Sequence, residues 1–87
     1  ISTSCVLDEV NILEPLEDKM YTAKFRYRQE VNEVYLKRDK DKLIVEYNQG
    51  IKSVTPGQIC AIYDDDKCVA GGIIKEVRKN NKKLWYL

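Results

Sequence analysis

Eighty-seven residues carry 15 lysines and arginines against 14 aspartates and glutamates, for a net charge of +1, and contain no histidine. That length holds one small domain whose core lies near the lower limit for independent stability. The balanced charge excludes both a strongly basic nucleic-acid binder and an acidic tail, so only local patches can carry an electrostatic argument.

Residues 4–11, with Cys5, Val6, Leu7 and Val10, read as a first strand in preference to an irregular lead-in. Pro15 and the acids Glu14, Glu17 and Asp18 make residues 14–19 a loop. Residues 20–29 show the clearest period in the chain. Tyr21, Ala23, Phe25 and Tyr27 share one face, and Thr22, Lys24, Arg26 and Arg28 share the other, which predicts a strand with one buried side. Residues 31–38 predict a second strand carrying Val34 and Leu36. Asp39-Lys40-Asp41 turns the chain, and residues 42–47 return with Leu43, Val45 and Tyr47 on one side.

Residues 48–53 are expected to be a connection into Pro56-Gly57, where proline at the second and glycine at the third position of a turn predict type II. A hairpin follows. Its strands cover 58–63 and 68–77, its turn is Asp64 to Lys67, and Gly71-Gly72 inside the second strand predicts a bulge, a bend or a close backbone approach. Residues 79–83 are polar and basic. Leu84-Trp85-Tyr86-Leu87 is an apolar ending expected to dock, as a last strand or against a partner. No ten-residue window has a helical period, and five to seven short strands in so small a chain predict an all-β fold, a small antiparallel barrel or sandwich.

Catalytic chemistry has little to build on. Without histidine no Ser/His/Asp set can form, and aspartates 64 to 66 read as solvated turn residues. The three cysteines, 5, 60 and 68, show no CxxC spacing, so no structural zinc site is expected. Cys60 and Cys68 are expected to be buried thiols that react slowly, in keeping with a reducing cytoplasm. No GxxxxGK[ST] or GxGxxG is present, so no cofactor is expected in this chain. The longest apolar runs fall far short of a membrane span and residues 1–11 lack the pattern of a signal peptide, which predicts a cytoplasmic protein. The start at Ile1 predicts that residues 1–87 are a single domain taken from a longer protein.

The polar face of residues 20–29 is the best candidate for contact with a partner. Lys24, Arg26 and Arg28 recur along an extended strand at roughly 6.6 Å, close to the spacing of phosphates along a nucleic-acid strand. The same pattern is also what a solvated strand face looks like. Arg78, Lys79, Lys82 and Lys83 form a second basic cluster with the same two readings.

Three stretches in register, Ala23-Lys24-Phe25-Arg26-Tyr27-Arg28-Gln29, then Val54-Thr55-Pro56-Gly57-Gln58, then Tyr63-Asp64 with Cys68-Val69-Ala70-Gly71-Gly72-Ile73-Ile74, resemble the C-terminal domain of bacterial tRNA-specific 2-thiouridylases. The resemblance implies a β-barrel similar to the second domain of translation elongation factors. It also implies a catalytic part elsewhere that binds ATP, adenylates the wobble uridine and delivers sulfur from a pair of cysteines, none of which matches Cys5, Cys60 or Cys68. The barrel itself is then expected to be non-catalytic and to help hold tRNA near its anticodon region, with Lys24, Arg26, Arg28 and Gln29 as the contact candidates. Its other expected partners are the catalytic domains of the same protein and a sulfur-carrier protein. The alternative is a structural barrel that docks on those proteins without touching RNA. Two departures stand out: Ala70 occupies the first of three positions that are usually glycine, and residues 78–87 exceed the usual ending.

Overall fold

The period-two runs become strands in the computed structural model, which describes residues 2–25, 31–51, 54–79 and 82–83, with side chains placed for 2–25, 31–47 and 54–79. In chain order the strands are β1 (Ser2–Ile12), β2 (Met20–Lys24), β3 (Asn32–Asp39), β4 (Lys42–Ile51), β5 (Ile59–Asp64), β6 (Lys67–Lys79) and β7 (Lys82–Lys83). Among the described residues there is no helix. Pairing runs β1-β4-β3-β2-β5-β6, and β6 pairs back onto β1, so six antiparallel strands close a barrel. Closure is how a small all-β chain avoids an open sheet edge.

One face of each barrel strand supplies the core. Cys5 and Leu7 come from β1, Val34 and Leu36 from β3, Leu43, Val45 and Tyr47 from β4, and Cys60 and Ile62 from β5. Tyr21, Ala23 and Phe25 form the buried side of β2 and its continuation, as the alternation predicts. Full burial of a side chain the size of Leu or Phe stabilises by about 1.5–3 kcal/mol, so this interior is what offsets the entropy of ordering the chain. Phe25 meets Tyr47 edge to face at 5.3 Å, and the Tyr47 hydroxyl shares a 2.7 Å hydrogen bond with Ser2 Oγ. That bond gives the one polar atom of a fully buried tyrosine a partner.

The turns follow their residue types. Gly57 has φ 93°, and the Gln58 N–H donates to the Thr55 carbonyl at 3.4 Å, completing the expected type II turn. Asp39 pairs with Lys42 around a two-residue turn with Lys40 at φ 59°, and Asp64 pairs with Lys67 around one with Asp65 at φ 56°. Exposed ion pairs, Lys19 to Asp64 at 3.2 Å and Lys67 to Glu14, tie the loop before β2 to the β5–β6 turn. Solvent and salt screen such surface pairs, so they add little to stability.

Gly72 is where two strands come closest. A Cβ at that position would lie 2.9 Å from the Asp8 carbonyl oxygen and 3.1 Å from Leu7 Cβ. β1 bulges opposite it, with Glu9 at φ 49° and a register shift between Asp8 and Asn11, so the expected close approach and bulge both occur here. Ala70 does not share the constraint. Its methyl group points into the core with no exposure, so a side chain is accommodated at this position.

Three expectations need correction. Among the described residues β2 ends at Lys24 and Phe25 is a bend, Ala23 being the last of them paired with β3 and Lys24 the last paired with β5; residues 26–29 of the expected strand lie outside the described residues. A strand stops where its neighbours no longer pair with it, whatever its alternation. Residues 48–51, read as a connection, belong to β4, whose pairing with β1 reaches Ile51 opposite Ser2. In the basic stretch, for which composition predicted no element, β7 pairs with the end of β6, Lys82 opposite Lys79 and Lys83 opposite Arg78.

Cys68 is the third. The β5–β6 register shifts between Ile62 and Tyr63, so that Val69 and Ala70 both turn inward and Cys68 is left half-buried. Cys5 and Cys60 are fully buried. We therefore predict that a thiol reagent in native buffer modifies Cys68 first and leaves Cys5 and Cys60 untouched until the barrel unfolds. Peptide mapping after a brief pulse of alkylation checks this, and early label on Cys60 would refute it. The apolar ending 84–87 lies outside the described residues.

Candidate nucleic-acid interface

Of the four residues proposed to contact RNA, Lys24 lies within the described residues, while Arg26, Arg28 and Gln29 lie outside them. Lys24 ends β2 on the barrel's outer face. Its ammonium sits 5.2 Å from the centroid of the Tyr63 ring, a cation–π distance, because the antiparallel register sets Thr22 opposite Tyr63 and Lys24 opposite Ala61. Alternation alone could not pair Lys24 with Tyr63, since the two are far apart in sequence and meet only through the β2–β5 ladder.

Beside this pair lies an open groove of about 590 Å³, lined among the described residues by Lys24, Phe25, Gly57, Gln58, Ile59, Ala61 and Tyr63. Lys24 is the charged residue among these, and Ile59, 68% exposed, forms an apolar wall. The Pro56-Gly57 turn places Gln58 at the rim. The Gln58 side-chain oxygen accepts the Thr55 N–H at 3.1 Å, and the backbone carbonyl of Gln58 accepts the Ile74 N–H at 2.8 Å. A second depression, on the other side of Lys24, is lined by Thr22, Val31, Tyr63, Asp65 and Asp66. Among the described residues the two depressions differ in charge: acids border the second and not the first.

Two of the three thiols are fully buried. Burial pushes the Cys5 thiol from its ordinary 9.0 up to about 12, against a smaller opposing contribution from a hydrogen bond with Tyr47. Burial, reinforced by the nearby Cys5, also holds the Cys60 thiol well above its ordinary value. Such thiols stay protonated and are poor nucleophiles. Among the described residues, no group of three or more His, Cys, Asp or Glu is placed to hold a metal ion, and no helix is long and apolar enough to cross a membrane. Of the second basic cluster, Arg78 is ion-paired with Glu76 on its own strand, which leaves less of its charge for an outside anion. The sequence signal that marks the groove in retrospect is the Val54 to Gln58 stretch, which reads as a turn and gives no hint of the surface it borders.

The model of the aminomethyltransferase β-barrel domain matches residues 2–74. The tRNA-specific 2-thiouridylase MnmA of Acholeplasma laidlawii is 43% identical over 86 residues, 98% of this chain and 23% of the relative. That of Phytoplasma australiense is 54% identical over 65 residues, 74% of this chain and 17% of the relative. That of Bacillus subtilis is 40% identical over 72 residues, 82% of this chain and 19% of the relative. The chain thus spans less than a quarter of the length of these relatives. With a closed antiparallel barrel and a family match over nearly all of it, the chain belongs to the aminomethyltransferase β-barrel domain family, as a C-terminal domain of the tRNA-specific 2-thiouridylase type.

Proposed function

We propose that this barrel is the non-catalytic part of a tRNA-thiolating enzyme and helps to position tRNA while the catalytic domains carry out ATP-dependent 2-thiolation of the wobble uridine. The observation that carries the reading is the match of almost the whole chain to enzymes named tRNA-specific 2-thiouridylases, joined to a barrel whose buried thiols are unsuited to sulfur transfer. ATP belongs to the catalytic domains in this reading, since the chain has no phosphate-binding loop. The cytoplasm is where such an enzyme meets its tRNA. Lys24, Arg26, Arg28 and Gln29 are the proposed contacts, three of them cationic and able to neutralise phosphates.

Replacing Arg26 and Arg28 together with alanine in the full-length protein is expected to weaken tRNA binding. The dependence of log affinity on log salt should become shallower by about 1 for each phosphate contact removed, similarly for different tRNA sequences. Binding titrations at several salt concentrations check this. Unchanged affinity and slope would remove those arginines from the interface.

A second reading, a barrel that docks on the catalytic domains or on a sulfur carrier without touching RNA, draws support from Ile59 and Val31, two large apolar side chains left 68% and 53% exposed, and from Asp65 and Asp66 beside Lys24. A salt-insensitive interaction between the separated parts would favour it.

A further inference from the structure

The groove between the end of β2 and the start of β5 has features that the reading above does not use. Among the described residues its lining combines an aromatic ring, an aliphatic wall, a cation and an amide, with no acid among them. The amide is oriented. A backbone N–H can only donate, so the Thr55 N–H fixes the Gln58 side-chain oxygen inward at 3.1 Å, and the NH₂ end of the same amide is left with no partner among the described residues. Gln58 is itself held by the turn: its N–H donates to Thr55, its carbonyl accepts from Ile74, and the Gly57 N–H donates to the Ile74 carbonyl at 2.8 Å. The donor at the rim therefore stands on a rigid support.

Lys24 occupies the Tyr63 ring at 5.2 Å while remaining a flexible cation on a four-carbon stem. An aromatic ligand that also carries an anionic group could take its place on the ring and meet the ammonium with that anion. The groove volume, about 590 Å³, falls in the range of pockets that bury one small-molecule-sized group. A flat ring, an anion and a hydrogen-bond acceptor on the ring edge are together the chemistry of a nucleotide.

We propose that this groove receives one unpaired nucleotide of the bound RNA, its base against Tyr63 and Ile59, an acceptor on the base edge at the Gln58 amide NH₂, and its phosphate at Lys24. The inference rests on the tRNA-positioning reading and deepens it. Phosphate neutralisation along a strand is indifferent to base and strongly salt-dependent, whereas stacking in a groove contributes affinity that salt does not screen.

The test uses the full-length protein and unmodified tRNA. Tyr63→Leu, which keeps an apolar side chain on the sheet face, is expected to weaken binding roughly fivefold to 150-fold with the salt slope unchanged, the range expected for losing about 1–3 kcal/mol of stacking. Lys24→Ala should weaken binding and lower the slope by about 1. Ultraviolet crosslinking of the wild-type complex, independent of any folding defect in a variant, should place RNA on the tryptic peptide 53–67, which contains both Gln58 and Tyr63. Wild-type affinity in Tyr63→Leu, or no crosslink in that peptide, overturns the proposal. If the Arg26 and Arg28 variant is still impaired in that case, the positioning reading survives without the groove; if it also binds normally, both fail. A Tyr63→Leu protein that melts earlier yet binds tRNA normally gives the ring a role in the barrel's stability alone, and that too overturns the proposal.

Discussion

Gly72→Val is expected to cost the barrel more than any exchange on its surface. The Asp8 carbonyl oxygen 2.9 Å and Leu7 Cβ 3.1 Å from the new Cβ belong to β1, which cannot yield without disturbing its pairing with both β6 and β4. Alanine should destabilise by about 1–3 kcal/mol as an overpacking change, and valine by more, because its branches add to the same clash. Reduced chain entropy in the unfolded state returns less than about 1 kcal/mol of that. For a domain of this size each kcal/mol is roughly 4–8 °C in melting temperature, so valine should remove well over 10 °C. Gly71→Ala is the internal control. Its Cβ would sit 3.3 Å from the Cys60 carbonyl oxygen, a tight contact relieved by a few tenths of an ångström, and its melting temperature should stay within a few degrees of wild type. Equal melting of the Gly72→Val and wild-type barrels, followed by circular dichroism, would refute the account of β1 and β6 given above.

Raising the pH should unfold the barrel cooperatively at a value where the surface alone gives no reason to. Cys5, Cys60 and Tyr47 are all held above their ordinary values, chiefly by burial, while the unfolded chain loses its thiol protons near 9.0 and its phenol protons near 10.0. Each of these groups binds its proton more tightly when folded. Its stabilising contribution is therefore complete below the unfolded-state value and is lost as the pH rises toward the folded-state one. The loss amounts to about 1.4 kcal/mol per pH unit for each group. Two thiols act from about pH 9 and the phenol joins from about pH 10, so a domain with about 5 kcal/mol of stability should unfold at about pH 10.5. Far-ultraviolet circular dichroism against pH gives the midpoint, and tyrosinate absorbance should show one phenol ionising together with unfolding. A barrel still folded at pH 12, or thiols that ionise near 9 with the fold intact, would contradict this.

The site was legible only in part. The period of two across residues 20–25 assigned Tyr21, Ala23 and Phe25 to the core and left Lys24 outside, because strand geometry ties face to parity. The Tyr63 ring and the Gln58 amide were not legible as Lys24's neighbours, since their proximity comes from the β2–β5 register, a pairing between segments about forty residues apart. Nor could parity foresee Cys68. One bulged residue at Val69 reverses the alternation beyond it, and bulges are chosen by how two strands fit together more than by the residues of either one.

Local chemistry settled what depends on neighbours along the chain. The type II turn at Pro56-Gly57, the two-residue turns at Lys40-Asp41 and Asp65-Asp66, the buried parity of β3 and β4, and the lack of any histidine-based active site all follow from residue types and their spacing. Tertiary structure decided where strands stop, which side chains cross from one strand to the next, and how near two backbones come. Among the described residues β2 ends at Lys24, where its pairing with β3 and β5 ends; β4 runs on to Ile51 because β1 pairs with it that far; Gly72 has no side chain because β1 leaves no room for one. The physical reason is common to all three. Strand hydrogen bonds and close contacts are made between segments distant in sequence, so their extent is set by the closed barrel and not by the residues adjacent in the chain.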